Sequence, residues 1–171
     1  GAVTGATNYR LDVATDIGFT SILGSYNNLT VAGTSQSVTT GIVAGTNFYY
    51  RVRAVGPGGT TVNSNTITTL TIPPNPVATA GTGMTATTFT ANWSAATSAT
   101  SYRLDVATSN TFGGTILGSY NNLTVAGTSQ AVTGLSPGTT YYYRVRAVNA
   151  SGTSSDSGTI TVLLISPAPT A

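Results

Sequence analysis

The chain has 171 residues, a formal net charge of +2, no cysteine and no histidine, and only 6% of its residues are charged. This composition excludes disulfides, a cysteine nucleophile, an imidazole base and an ordinary zinc site. The net charge is too small to indicate a nucleic-acid-binding surface. No apolar run approaches the roughly 18 residues of a membrane helix. We therefore expect no cofactor, no nucleic-acid partner and no membrane insertion.

The chain carries one long stretch twice. Residues 9–15 recur letter for letter at 102–108, and residues 22–36 recur at 116–130. The offset of about 93 residues is the size of a small domain rather than of a solenoid turn. This repetition predicts a tandem array of domains.

We expect the domain boundaries to follow this period. Residues 1–72 form a partial first repeat, residues 73–166 form a complete second repeat, and residues 167–171 begin the linker or first strand of a further repeat. Between the two repeats, the Pro-rich segment 72–76 predicts a linker, because proline resists regular strand pairing.

The complete copy shows the alternation of apolar and polar residues that is typical of half-buried strands. Phe89 and Trp93 share one face of the first clear strand, and Tyr102 and Leu104 share one face of the next. Short strands are predicted, in chain order, at 77–80, 88–93, 102–106, 116–117, 129–133, 141–147 and 159–165. About seven such strands, with turn signals between them, indicate an all-β fold in the form of an antiparallel sandwich.

The complete copy has Trp93 on the second strand, a Leu-x-Pro-Gly-Thr-x-Tyr passage at 135–141, and a Tyr-x-Val-x-Ala run at 143–147. Together these three passages resemble a fibronectin type III domain. The resemblance implies an immunoglobulin-like sandwich of about seven strands, in which Tyr141 forms the tyrosine corner of the family. It also implies tandem fibronectin type III domains of a secreted or surface bacterial repeat protein. We expect the structural core to contain Trp93, Tyr102, Leu135, Tyr141, Tyr143 and Val145.

The first copy departs from this pattern. The counterparts of the first two strands and of their tryptophan are absent, and Phe48 stands where Tyr141 stands in the second copy. We therefore expect strands three to seven only, with one uncovered inner face and exposed strand edges. The missing strands lie upstream in a longer array, or a neighbouring copy donates them and so forms a polymer.

Arginine and aspartate recur at outward positions of the third and sixth strands, with a tyrosine beside them. The residues predicted as a surface for contact are Arg10, Asp12, Tyr49, Arg51, Arg53, Arg103, Asp105, Tyr142, Arg144 and Arg146. One interpretation is a solvated, ion-paired sheet face, in which each exposed pair is worth at most about 1 kcal/mol. The other is a flat Tyr/Arg surface that binds a protein or a glycan.

We expect no enzymatic activity. The paired carboxyls of glycosidases lie about 5 to 10 Å apart, whereas Asp12 and Asp105 occupy equivalent positions in different domains. Asp16 and Asp156 have too few neighbouring carboxylates for a calcium site. The sequence favours a non-catalytic structural module of an extracellular or cell-surface protein, acting as a stalk, fibre or filament building block. The alternative is an adhesive or carbohydrate-binding accessory module of a secreted polysaccharide-degrading enzyme.

Overall fold

The computed structural model describes residues 1–167, and the chain divides into two compact units, Gly1–Thr71 and Ile72–Ala171. We call them unit 1 and unit 2. Their boundary lies one residue before the boundary expected from the repeat period. The expected start of a further repeat at 167–171 lies, beyond Pro167, outside the described residues.

Unit 1 contains one sheet of short antiparallel strands. These are β1 (Asn8–Ala14), β2 (Leu29–Val31), β3 (Asn47–Gly56), β4 (Gly59–Thr60) and β5 (Ile67–Leu70), with a 3₁₀ turn at Gly24–Tyr26. The strand order is β2-β1-β3-β4, and β5 pairs with the first part of β3. Because β1 pairs with β3 along its whole length, these two strands set which residues share each face.

Unit 2 contains two sheets. Its strands are β6 (Ala78–Thr82), β7 (Phe89–Trp93), β8 (Ser101–Ala107), β9 (Leu123–Val125), β10 (Ser129–Val132), β11 (Thr140–Asn149), β12 (Gly152–Thr153) and β13 (Ile160–Leu163), with a 3₁₀ turn at Gly118–Tyr120. One sheet has the order β10-β7-β6, and the other has the order β12-β11-β8-β9 with β13 also paired to β11. A single apolar cluster joins the two sheets. The predicted all-β antiparallel sandwich is confirmed.

Aromatic pairs hold the core of unit 2 together. The rings of Trp93 and Tyr102 lie 5.6 Å apart, and those of Phe89 and Tyr143 lie 5.8 Å apart. Such pairs add about 0.5 to 1.5 kcal/mol to the burial of their area. Each of the expected core residues is at most 6% exposed, namely Trp93, Tyr102, Leu135, Tyr141, Tyr143 and Val145.

The fourth strand lies later in the chain than predicted. The predicted strand at 116–117 is wrong, because Ile116 makes only an isolated bridge to Ala107. The chain then forms the 3₁₀ turn and passes through Asn122, whose φ of 57° is left-handed, before β9 pairs with Tyr102–Leu104. A left-handed residue redirects the backbone, so pairing resumes only after it.

Nearly identical segments adopt different structures in the two units. In unit 2 the sequence Ser-Gln-Ala-Val forms β10, which pairs with β7. In unit 1 the matching sequence Ser-Gln-Ser-Val at 35–38 forms no strand. The prediction of strands three to seven in the first copy is therefore wrong for the fifth, because within unit 1 no counterpart of β7 is there to pair with it.

The two copies also differ at the last strand. Val162 and Leu164 of unit 2 are 3% and 2% exposed and belong to the core. Their counterparts in unit 1 are Thr69, which is exposed, and Thr71, which is half-buried. The Thr71 hydroxyl donates to the Val43 carbonyl at 2.7 Å. This edge of unit 1 is therefore polar where unit 2 is apolar.

Candidate functional site

A buried carboxylate lies beneath two arginines on the outer sheet face of each unit. In unit 2, the register of β8 and β11 sets Asp105 opposite Arg144. Asp105 Oδ2 lies 3.0 Å from both Arg144 Nε and Arg146 Nη2. The backbone N–H of Asn122 donates to the other carboxylate oxygen at 2.8 Å. Three donors of the same unit therefore face this carboxylate, two at Oδ2 and one at the other oxygen.

Unit 1 repeats this geometry. Asp12 lies 3.0 Å from Arg51 Nε and from Arg53 Nη2, and the backbone N–H of Asn28 donates to it at 2.8 Å. Asn28 has a φ of 58°, a left-handed conformation that asparagine tolerates better than most residues. Its side-chain oxygen also accepts a hydrogen bond from Arg53 Nη2 at 3.1 Å. We call each such cluster an Asp–Arg hub.

The carboxylates of the hubs are buried. Asp12 is 2% exposed and Asp105 is 1% exposed. The prediction of a solvated face is therefore wrong for these two residues, because the arginine side chains and the adjacent turn cover them. Removing one partner of a buried ion pair leaves an uncompensated charge, so each hub ties the two central strands of its sheet together.

A phenylalanine covers one arginine of each hub. The Arg51 guanidinium lies 4.0 Å from the ring centroid of Phe19, and the Arg144 guanidinium lies 4.3 Å from that of Phe112. Both rings are buried, and both residues have a left-handed φ near 57°. Each guanidinium thus lies within cation–π distance of a buried ring. Neither phenylalanine was predicted as a site residue, although Phe19 and Phe112 occupy equivalent positions in the two copies.

The other predicted contact residues lie beside the hubs and do not join the carboxylates. Arg10 Nη1 donates to the hydroxyl of Thr30, and Arg103 Nη1 donates to that of Thr124. Tyr49 and Tyr142 are half-buried and share the outer face with the hub arginines, because they precede Arg51 and Arg144 by two residues on their strands. In each unit the predicted contact residues thus lie on one face of the sheet, with the aspartate beneath the arginines.

The two hubs differ in one outer partner. In unit 2, Asp156 Oδ2 lies 3.0 Å from Arg144 Nη1, and Asp156 Oδ1 lies 3.4 Å from Arg146 Nη1. In unit 1 the matching residue is Asn63, which carries no charge. Two arginines therefore face two carboxylates in unit 2 and a single carboxylate in unit 1.

The inner face of unit 1 is open. A groove of about 390 Å³ is lined by Gly1, Tyr9, Leu11, Val31, Gly33, Thr34, Ser35, Gln36, Val38, Tyr50 and Val52. Tyr50 is 38% exposed, whereas its counterpart Tyr143 is fully buried. Burial raises the pKa of Tyr143, whose hydroxyl accepts a hydrogen bond from the Asn92 backbone at 3.2 Å. The strands that cover Tyr143 have no counterpart among the strands of unit 1.

Tyrosine hydroxyls fasten loops to both units. Tyr141 accepts a hydrogen bond from the Ser136 backbone at 2.9 Å, which is the geometry of a tyrosine corner. In unit 1, Tyr26 accepts from the backbones of Thr40 and Thr39 at 3.1 and 2.8 Å. These two donors lower the pKa of Tyr26 to about 8.

Asp16 closes a turn in unit 1. Its carboxylate accepts hydrogen bonds from the backbones of Thr20 and Ser21 at 3.0 and 2.6 Å. The Thr20 bond lowers the pKa of Asp16 below its usual value. Among residues 1–167, no group of three or more His, Cys, Asp or Glu side chains could hold a metal ion. Within the same range, no helix is both long and apolar enough to cross a membrane.

Several solved structures are similar to this chain. The chicken CNTN1 FN1-FN3 domains match with a TM-score of 0.44 and 17% identity, over 92% of this chain and 56% of that one. This chain thus spans little more than half of that fragment. FN3tt matches with a TM-score of 0.43 and 26% identity, over 54% of this chain and 95% of its own. A fibronectin type III domain from human KIAA0970 protein matches with a TM-score of 0.46 and 16% identity, over 57% of this chain and 77% of its own. Comparison with curated protein sequences gave no match.

The two-sheet architecture and the corner at Tyr141 define unit 2 as an immunoglobulin-like β-sandwich module. The family model for the fibronectin type III domain matches residues 73–162, which is more than half of the chain. The chain belongs to the fibronectin type III family. Domains of this family are generally non-catalytic modules and are commonly found in extracellular proteins.

Proposed function

We propose that the chain is a non-catalytic structural segment of an extracellular, bacterial repeat protein, and that its units serve in series as a stalk or filament. The observation that carries this proposal is the Asp–Arg hub. In each copy the buried aspartate pairs with an arginine of the neighbouring strand, which links β1 to β3 in unit 1 and β8 to β11 in unit 2. Because these side chains are paired within the sheet, they favour a mechanical role for the chain over a catalytic one. Unit 1 would then be a second, incomplete fibronectin type III domain of a tandem array.

Electron microscopy of the native parent protein tests this role. The stalk proposal expects beads of domain size along a filament or rod. Images in which the same domains hang from a large globular enzyme would contradict it and would support the accessory-module alternative.

An adhesive function is the second candidate, and one specific observation favours it. Tyr142 lies on the same outer face as Arg144 and Arg146, and all three side chains are partly exposed. Aromatic and arginine side chains are enriched at protein contact surfaces. Tyr142→Ser should then abolish binding to cells or glycans while unit 2 keeps its melting temperature. Tyr141→Phe, which changes a buried hydroxyl on the opposite face, is the matched control.

We also propose that the open face of unit 1 is completed by two strands like β6 and β7, supplied by a neighbouring repeat or copy. Support comes from unit 2, where Gln130 lies opposite Ala91 of β7. The Trp93 N–H donates to the Thr128 carbonyl at 3.0 Å, and bonded pairs alternate along antiparallel strands. Thr128 is in a bonded pair, so Gln130, two residues later, is in one too. The Gln130 N–H therefore points to β7, and the N–H of Ala131 points away from it. The equivalent donor in unit 1 is the N–H of Gln36.

Adding a peptide with the sequence of residues 77–94 to the full chain tests the completion. The Gln36 amide should become protected from hydrogen exchange, and Gln36→Pro should weaken binding of the peptide because proline has no N–H to donate to it. Ser37→Pro is the matched control, since the equivalent N–H points away from β7. Equal weakening of peptide binding in both variants would contradict the proposed register. Sedimentation of the full chain as a monomer at every concentration would exclude donation between copies.

A further inference from the structure

The outer partner of the hub in unit 2 identifies a site in unit 1. Asp156 places one carboxylate oxygen near each of two guanidinium groups, at 3.0 Å from Arg144 Nη1 and 3.4 Å from Arg146 Nη1. In unit 1 the same pair is Arg51 and Arg53, and the residue at the aspartate position is Asn63. Within residues 1–167, the carboxylate paired with these two arginines is Asp12 alone.

We infer that Arg51 and Arg53 of unit 1 form a binding site for an acidic side chain of a protein partner, in the place that Asp156 fills in unit 2. The rest of the hub is the same in both units. Arg51 and Arg144 both give Nε to the buried aspartate at 3.0 Å, and both are held over a phenylalanine ring. The Nη1 atoms that meet Asp156 in unit 2 therefore have preorganised counterparts in unit 1.

The charge balance of unit 1 specifies an anion of single charge. The cluster of Arg51, Arg53 and Asp12 carries a net charge of +1, whereas the corresponding cluster in unit 2 is neutral once Asp156 is included. The buried Arg53 Nε also has no hydrogen-bond partner among the described residues. Both arginine side chains are 25% exposed, so a ligand reaches them from solvent. Arginine prefers planar carboxylates because its fork of donors matches both oxygens.

A protein carboxylate is the expected ligand, because Asp156 fills the equivalent place in unit 2. Asp156 lies in an irregular segment with the small residues Ser155, Ser157 and Gly158, so the fitting group is an aspartate on a short loop of small residues. An acidic sugar carries the same carboxylate on a rigid ring, which that loop does not resemble. The proposal deepens the structural role proposed above, because the site would join a neighbouring domain to unit 1.

Nuclear magnetic resonance of the full chain with labelled arginine side chains tests the site. The probe is the capped tetrapeptide Ser-Asp-Ser-Gly, and the matched control is Ser-Asn-Ser-Gly. The acidic peptide should shift the Arg51 and Arg53 signals saturably, and the neutral peptide should not. Asn63→Asp should abolish the shift by filling the site from within.

The reciprocal variant provides a second measurement. Asp156→Asn should open an equivalent site, so the Arg144 and Arg146 signals should then shift with the same peptide. Equal shifts with both peptides, or an unchanged response in Asn63→Asp, would overturn the inference. Glucuronate shifting the signals while the acidic peptide does not would also overturn it and would indicate a glycan ligand. These outcomes leave the stalk role untouched, because electron microscopy tests that role separately.

Discussion

Asp105 lies 3.0 Å from Arg144 Nε and is only 1% exposed, so this ion pair is an internal part of the sandwich. Charged residues make up 6% of the chain, and most of them meet in the two hubs. A buried pair need not be more stabilising than an apolar pair of equal volume, but breaking it is costly. The hubs therefore act as constraints on strand pairing.

Asp105→Asn should destabilise unit 2 by about 3 to 5 kcal/mol, because two arginines lose the charge that they enclose. Asp156→Asn is the matched comparison and should cost under about 1 kcal/mol, since the Asp156 side chain is 38% exposed and solvent screens its ion pairs. Denaturant unfolding followed by the fluorescence of Trp93, the single tryptophan of the chain, measures both effects in unit 2. Equal losses in the two variants would show that the inner carboxylate has no special role.

Tyr141→Phe should lower the stability of unit 2 by about 1 kcal/mol through the loss of the hydrogen bond from the Ser136 backbone. The ring remains buried, so the change is confined to the hydroxyl. Unit 1 already carries this change in the form of Phe48. The same tryptophan-monitored unfolding provides the measurement, and a loss above about 3 kcal/mol would mean that the ring itself had shifted.

The amide of Gln130 should exchange its hydrogen far more slowly than that of Gln36, although the flanking sequences match. Gln130 belongs to β10 and pairs with Ala91, whereas Gln36 lies in a segment without strand structure. Protected amides open only with the local structure that holds them. Native-state exchange of the full chain, resolved by residue, makes the comparison. Similar rates at the two positions would mean that unit 1 already has a covering strand.

Tyr26 should ionise at about pH 8, ahead of an ordinary phenol at about 10, because two backbone donors favour its phenolate. A folded-state pKa below the unfolded value adds stability at high pH. This contribution to unit 1 is fully present above about pH 10 and is lost as the pH falls through about 8. Phenolate absorbance during a pH titration should show an early step that is missing in Tyr26→Phe. An identical titration of the two proteins would contradict the assignment.

The sandwich and its core could be predicted because alternation is a local property. Trp93, Tyr102 and Tyr143 are apolar or aromatic positions in runs of period two, and they are buried. The division of the chain after Thr71 lies one residue from the boundary that the repeat offset predicts. Tyr141 was found from its motif, and its hydroxyl makes the expected bond to the backbone just before it.

The features that sequence reasoning missed depend on distant partners. Residues 35–38 do not form a strand, since an edge needs a neighbour to pair with. The burial of Asp105 depends on a turn that brings Asn122 and Phe112 over the sheet, and the alternation of β8 carries no information about that turn. The pairing of Asp156 with Arg144 is not visible in the sequence, because it arises from the return of the chain after β12.

Thr69 and Thr71, which replace Val162 and Leu164, mean that the two copies are not interchangeable parts. Long matching stretches invite genetic recombination, and a crossover could place the threonine-bearing strand on a sandwich built around valine and leucine. Such a hybrid would carry hydroxyl groups into an apolar interior, each requiring a new partner. Divergence at this edge therefore limits which recombined chains would still fold.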